Sequence, residues 1–351
     1  MDRAGMASRV ICDSLQPAAA HELAGTFLSS DLQKVHFANS GAEAVEAAIK
    51  LARAQGVRRM ITTKGGFHGK TIGALSLTNN RTYQDPFLPL LPDVTVVPYG
   101  DATAIRSELA SRDERAVVFL EPIQGEAGVK IPPTGYLAEV SSACRDYDAL
   151  LVMDEIQTGL GRTGRMWAHE AENGCRPEIV LVGKVLSGGL VPVSALVATS
   201  EVYAPFDRDP FVHSSTFAGN PLAMAAAIET IRVIRDDDLP ARCAAVGADL
   251  LNRLHPLVQR FPMHLQDLRG RGCLLALELN DEGTAGELLL GLLDRGILVN
   301  HSLNSGSVVR LTPSAYLEPS EVGQTVAAIT NAWRVSRPME ETGYEECSCH
   351  C

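Results

Sequence analysis

Short apolar runs closed by turn residues recur through the earlier part of the chain. They are Met60-Ile61-Thr62, Val94-Thr95-Val96-Val97, Ala116 to Leu120, Leu150 to Met153, Ile179 to Val182 and Ala195-Leu196-Val197. Stretches with helical spacing lie between several of them, Glu43 to Gln55 and Tyr136 to Tyr147 included. Apolar strands alternating with helices predict an α/β fold, with a mostly parallel sheet covered on both faces. The pattern changes after about residue 237, where Asp236-Asp237-Asp238-Leu239-Pro240 makes a break. Helical patterns over 241–260, 284–295 and 319–335, with weaker strands at Leu274 to Leu279 and Val308 to Leu311, predict a smaller α+β domain. The expected division is a large domain over 1–236, a small C-terminal domain over 237–338 and a disordered tail over 339–351.

The residues that close three of these runs carry the chemistry. Ala116 to Leu120 ends in Glu121, Leu150 to Met153 in Asp154, and Ile179 to Val182 in Gly183 and Lys184. In a parallel sheet the carboxyl ends share one edge, and ligands bind outside it. These three residues should therefore project into one crevice. Any one of them could simply mark where the chain meets water. Together they suggest a lysine whose pKa is tuned by nearby acids, as Schiff-base chemistry needs.

Composition narrows the function classes. The 351 residues are 46% hydrophobic and 21% charged, enough to bury a sizeable core. A net charge of -11 argues against nucleic acid or an anionic membrane as the main partner, and leaves room for an anionic small ligand in a local pocket. No apolar run approaches the length of a membrane span, and Met1-Asp2-Arg3-Ala4-Gly5 lacks the layout of a signal peptide. The cytoplasm is the expected compartment. Cys12, Cys144, Cys175, Cys243 and Cys273 are too scattered for a disulfide framework. Cys347, Cys349 and Cys351 stand closer together than zinc thiolates usually do, so no metal is expected and the tail reads as a frayed, oxidisable end.

Asn39-Ser40-Gly41-Ala42-Glu43 opens an amphipathic helix. Ser40 and Glu43 fit a capping box, and a helix start with Ser-Gly also presents backbone N–H groups to an anion. Both readings stand. Two other glycine strings mislead. Gly159-Leu160-Gly161-Arg162-Thr163-Gly164 matches the dinucleotide fingerprint, but it is set apart from the strand and opens no helix pattern. Lys64-Gly65-Gly66-Phe67-His68-Gly69-Lys70-Thr71 misses the first glycine of a P-loop. Both are expected to be turns at the rim of a site.

The order and spacing of several strings resemble the class III aminotransferases, pyridoxal-phosphate (PLP) enzymes of fold type I. The strings are Phe37 to Ala44, Phe67 to Thr71, Glu121 to Glu126, Asp154 to Gly164, Gly183 to Gly189 and Ser215 to Pro221, and the resemblance runs from about residue 20 to 335. It implies that Ser40, Gly41 and Ala42 hold the PLP phosphate, with Thr216 reaching it from the partner subunit of a homodimer. It implies that Phe67 and Ile156 stack on the two faces of the ring and that Asp154 pairs with the ring nitrogen. Gln157 would bond the ring hydroxyl oxygen, oriented by Glu121. Lys184 would be the Schiff-base lysine and the acid/base for the substrate proton. Arg310, in Val308-Val309-Arg310-Leu311-Thr312-Pro313, matches an arginine that holds the α-carboxylate of glutamate or 2-oxoglutarate. Glu126 matches a glutamate that masks this arginine in ornithine- and acetylornithine-type members.

The implied activity is transamination from an ω-amino acid or diamine donor to 2-oxoglutarate. Racemisation, aminomutase chemistry or decarboxylation on the same cofactor would use the same Lys184 and Asp154. Family members usually carry a longer segment ahead of the region matching residues 10–37, so the chain is expected to be a short variant, a truncated gene product or part of a larger protein. A truncated, low-activity subunit is therefore a further alternative.

Overall fold

A computed structural model describes residues 13–209 and 211–332. Cys12 and the cysteine-rich tail over 339–351 lie outside these residues. Seven strands build the larger sheet: β1 (Leu32–Ala38), β2 (Arg59–Thr63), β3 (Val94–Val97), β4 (Ala116–Leu120), β5 (Leu150–Asp154), β6 (Ile179–Val182) and β7 (Ser194–Thr199). Their order is β1-β7-β6-β5-β4-β2-β3. Strands β2 to β6 pair in parallel, and β7 is antiparallel to both β6 and β1. Strand β1 therefore points the same way as β6, and β7 alone of the seven is reversed. The expected mostly parallel sheet is present, with Ala195-Leu196-Val197 in its reversed strand.

Every residue of β2, β4, β5 and β6 is buried. Helices on both faces leave these strands no polar side, which explains their unbroken apolar runs. Strand β1 sits at a sheet edge and is only half buried, so its Gln33, Lys34 and His36 obscured it in the sequence.

A second, antiparallel sheet contains β8 (Leu265–Arg271), β9 (Leu274–Leu279), β10 (Asn300–Ser302) and β11 (Ser305–Leu311), in the order β10-β11-β9-β8. Strands β9 and β11 match the expected apolar runs. Strands β8 and β10 are polar and largely exposed, and carried no such signal. The helix expected over 241–260 is two helices, Leu239–Leu254 and Pro256–Arg260, because Pro256 has no N–H to continue the ladder. The next helix begins earlier than expected, at Glu282, because Asp281 caps it by accepting the Thr284 amide at 2.8 Å. The last runs over Pro319–Ala332. No helix among the described residues is long and apolar enough to cross a membrane.

The two sheets meet backbone to backbone. The Cys273 amide donates to the Arg162 carbonyl at 2.9 Å. A Cβ on Gly272 would lie 2.5 Å from the Gly164 amide nitrogen, and one on Gly247 would collide with the Gly272 carbonyl. Nearby, the Arg269 guanidinium donates to the carbonyls of Gly128, at 2.6 Å, and Val129, at 3.3 Å. Ile123, Val129, Leu274, Ala276 and Val308 form a small apolar cluster there. The turn after Asp154 and the segment after Glu121 are thus both held against the second sheet.

Gly247→Ala tests this contact. Alanine favours the helix by ~1 kcal/mol, but a methyl group driven into backbone cannot be relieved by a rotamer change. We expect a net loss of about 1–3 kcal/mol, read as a lower urea midpoint. A raised midpoint would mean that helix and turn are not in close contact.

Candidate active site

Because β1, β2, β4, β5 and β6 point the same way, their carboxyl ends deliver residues to one cavity of about 220 Å³. Glu121, Asp154 and Lys184 line it together, as their strand-end positions predict. Gly41, Ala42, Phe67, Glu126, Ile156 and Gln157 complete most of the wall. A larger hollow of about 400 Å³ beside Leu298 and Leu311 holds none of the strand-end charges.

Asp154 is 5% exposed. Its Oδ2 lies 2.8 Å from Nδ1 of the buried His68, and its Oδ1 accepts the Ile156 amide at 3.1 Å. Burial alone would lower the His68 pKa, but the Asp154 hydrogen bond and the charges of Asp154 and Glu121 raise it. His68 is therefore a ready counter-charge for Asp154. It was visible in the sequence only as a letter within Phe67-His68-Gly69, and nothing there linked it to Asp154.

Glu121 is buried, and its carboxyl is pushed up to about 7, first by burial and then by Asp154, against the opposing charge of His68. Its Oε1 accepts the Phe67 amide at 2.9 Å. Among the described residues no hydrogen bond joins Glu121 to Gln157, so the expected orienting contact is replaced by one that fixes the Phe67 backbone. Gln157 packs its amide against Gly125, where any Cβ would strike Gln157 Oε1.

Lys184 follows Gly183 at the end of β6 with φ 44°, in the left-handed region that a non-glycine residue occupies only under strain. Protein walls surround its amine although the side chain faces the open cavity and is exposed to solvent. Burial lowers its pKa, the carboxylates of Glu126, Asp154 and Glu121 oppose that shift, and Arg310 adds to it. A lysine so placed carries more free amine at neutral pH than an ordinary one, which is what a nucleophilic lysine requires.

The helix Gly41–Ala54 starts at the cavity. Ser40 is exposed and its hydroxyl caps the helix, accepting the Glu43 amide at 3.3 Å, while Gly41 and Ala42 line the wall. A Cβ on Gly41 would lie 2.9 Å from Ile156 Cδ1. The glycine lets the helix start and the Ile156 side chain close on the same space. The P-loop-like string also precedes a helix, Ile72–Leu77, but that helix start is filled by Glu46, whose Oε1 accepts the Gly73 amide at 2.8 Å. The Gly159 to Gly164 string forms turns and opens no helix. Neither string presents an open helix start to a phosphate.

Glu126 is in the wall, and Arg310 on β11 stands behind it, with Glu126 Oε1 2.7 Å from Arg310 Nη1. The N–H is poorly aligned, so this is a contact of charges more than a hydrogen bond. Glu126 Oε2 accepts the Leu303 amide at 3.1 Å. Thr216 is exposed and does not line the cavity of its own chain.

The residues present fit PLP. The cavity offers a helix start cleared of side chain at Gly41, a buried carboxylate with its own counter-charge, an aromatic and an aliphatic side chain, and a lysine of lowered pKa. These suit a phosphate, a ring nitrogen, a flat ring and an aldehyde.

Glu121 makes a testable contribution to stability. Its carboxyl titrates near 4.5 when unfolded and near 7 when folded. Between these values the folded protein keeps a proton that the unfolded chain has lost, so stability falls as pH rises, by on the order of 3 kcal/mol. Glu121→Gln cannot ionise. In urea unfolding of the cofactor-free protein, the wild type should lose stability relative to this variant across that window. A constant difference would mean that Glu121 is ionised throughout.

A model of the family described as aminotransferase class-III matches residues 4–333. The ornithine aminotransferase of Toxoplasma gondii superposes with a TM-score of 0.88 at 32% identity, over 95% of this chain and 78% of that one. An acetylornithine aminotransferase from Elizabethkingia anophelis gives 0.80 at 30% identity, over 94% and 81%. An omega-transaminase from Thermomicrobium roseum gives 0.87 at 25%, over 95% and 82%. Fold, cavity and sequence agree, and the chain belongs to the class-III aminotransferases, fold-type I enzymes that use pyridoxal phosphate to transfer amino groups.

Proposed function

We propose that this enzyme moves an amino group from an ω-amino acid or diamine to 2-oxoglutarate. The observation that carries the proposal is Glu126 set 2.7 Å from Arg310 at the cavity wall. With the pair closed, Arg310 is masked from a carboxylate, which suits a donor that enters by its ω-amine end. With Glu126 displaced, Arg310 is free to take a carboxylate of 2-oxoglutarate as a bidentate pair. The likeness to ornithine and acetylornithine aminotransferases supports the same reading. In it the division near residue 236 separates a cofactor-binding domain from a smaller one that carries Arg310.

When bound, the cofactor supplies an electron sink for the pair left on carbon as a C–H bond breaks. The chain's own groups do the rest. Lys184 would hold the cofactor and carry the substrate proton on Nζ. Asp154, set by His68 and the Ile156 amide, would favour a protonated ring nitrogen. Gly41 and Ala42, with Ser40, would take the phosphate. Phe67 and Ile156 would flank the ring, and Gln157 would meet its hydroxyl oxygen. Glu121 acts on this set by fixing the Phe67 backbone. The thiols of Cys144, Cys175, Cys243 and Cys273 are free, which fits a reducing compartment such as the cytoplasm.

A homodimer completes the proposal, with Thr216 of one copy reaching the phosphate of the other. Phe217, next to Thr216, is exposed and lines an apolar hollow with Val191, Pro192 and Leu222, which offers a face for such a contact.

The PLP-loaded enzyme should form glutamate from 2-oxoglutarate with ornithine, putrescine or another ω-amine, and Lys184→Ala should abolish it. No glutamate with any donor of such a panel would overturn the proposal. Subunit exchange tests the dimer. Refolding Lys184→Ala together with Thr216→Ala should restore about a quarter of the wild-type sites, because each mixed dimer regains one intact site. Activity equal to the average of the separate variants would exclude a shared site.

A further inference from the structure

Glu126 does not hang freely in front of Arg310. Its carboxylate and its own backbone are both gripped by the turn that joins β10 to β11, the hairpin that also carries Arg310. Oε2 of Glu126 accepts the Leu303 amide at 3.1 Å, and its carbonyl accepts the next amide, Asn304, at 2.9 Å. Ser302 Oγ donates to the Gly125 carbonyl at 3.3 Å. The Asn304 side chain then ties this turn to the far wall. Its Nδ2 donates to the Gly65 carbonyl at 3.1 Å, and its Oδ1 accepts Asn80 Nδ2 at 2.8 Å. Gly65 begins the loop that leads to Phe67 and His68.

We infer that Asn304 is a specificity-determining positioning residue: it latches the β10–β11 hairpin to the Gly65–Phe67 loop and so keeps Glu126 in register with Arg310. The inference rests on the proposed masking of Arg310 and goes beyond it. A charge pair on two separately moving segments discriminates weakly, because each substrate carboxylate can push the mask aside. Here the mask and the masked cation are carried by segments bonded to each other on both sides. Asn304 does not line the cavity, and in this inference it acts on Arg310 through Glu126.

Loss of the latch should let α-carboxylates reach Arg310 more easily in the donor half of the reaction. In Asn304→Ala, loaded with PLP, the preference for an ω-amine donor over L-glutamate, as a ratio of kcat/KM values, should fall by about tenfold, the effect of one or two lost hydrogen bonds. The change should appear mainly as a lower KM for glutamate, with the visible band of the bound cofactor unaltered. A merely structural role would lower kcat for both donors alike and leave the ratio unchanged. Asn80→Asp removes the donor to Asn304 Oδ1 while keeping the Asn80 Oδ1 cap on the Thr82 amide, and should shift the ratio the same way if Asn304→Ala does not fold. Glu126→Ala sets the scale. If it lowers the ratio but neither latch variant does, the latch is overturned and the mask stands. If Glu126→Ala itself leaves the ratio unchanged, the masking proposal fails and the latch fails with it.

Discussion

A carboxylate at the end of a fully buried strand needs a partner, and for Asp154 that partner is His68. Removing water from an ion is far more costly than any single packing contact can return, unless an opposite charge is built in beside it. Asp154 closes β5 with one oxygen on the His68 imidazole and the other on the Ile156 amide. Glu121 lies close enough to feel both charges, and it shares in the same balance by holding a proton more tightly than an ordinary carboxyl. Lys184 follows β6, where burial lowers its pKa and the nearby carboxylates oppose that shift. The cavity is an electrostatic unit in which burial and the neighbouring charges together set the state of each member.

That unit also shapes the walls. His68 and Phe67 are neighbours on the loop after β2. Pairing His68 with Asp154 and Phe67 N–H with Glu121 draws the whole loop over the sheet edge. Glycine then sets how closely the segments approach. Gly41 admits Ile156, and Gly125 admits the Gln157 amide, in both cases because a Cβ would occupy the space. Gly164, Gly247 and Gly272 do the same at the junction of the sheets, so the turn after Asp154 is held by backbone rather than by adaptable side chains.

The second sheet contributes more than support. Arg310 sits on β11, and the end of β10 and the turn before β11 reach Gly125, Glu126 and Gly65 in the loops that follow β4 and β2 of the first sheet. The proposed choice between donors and acceptors is thus made where two sheets meet. One brings the acid, the other brings the cation, and hydrogen bonds across the gap decide how easily they part.

Much of this was legible in the chain. Continuous apolar runs at Ala116 to Leu120 and Leu150 to Met153 mark buried parallel strands, and Glu121, Asp154 and Lys184 stand at the ends of such runs, so their meeting at one edge is a property of the sequence pattern. Edge strand β1 and the polar strands β8 and β10 were not legible, because a strand that is half exposed has no apolar signature of its own. The partners of the charges were hidden for a different reason. His68 is 86 positions from Asp154, Glu126 is 177 from Leu303, and Gly65 is 239 from Asn304. A strand end is a local fact that the sequence by itself determines. Which residue neutralises it, and which turn holds Glu126 beside Arg310, is decided only when the chain closes on itself, because a hydrogen bond depends on angstroms that sequence separation does not encode.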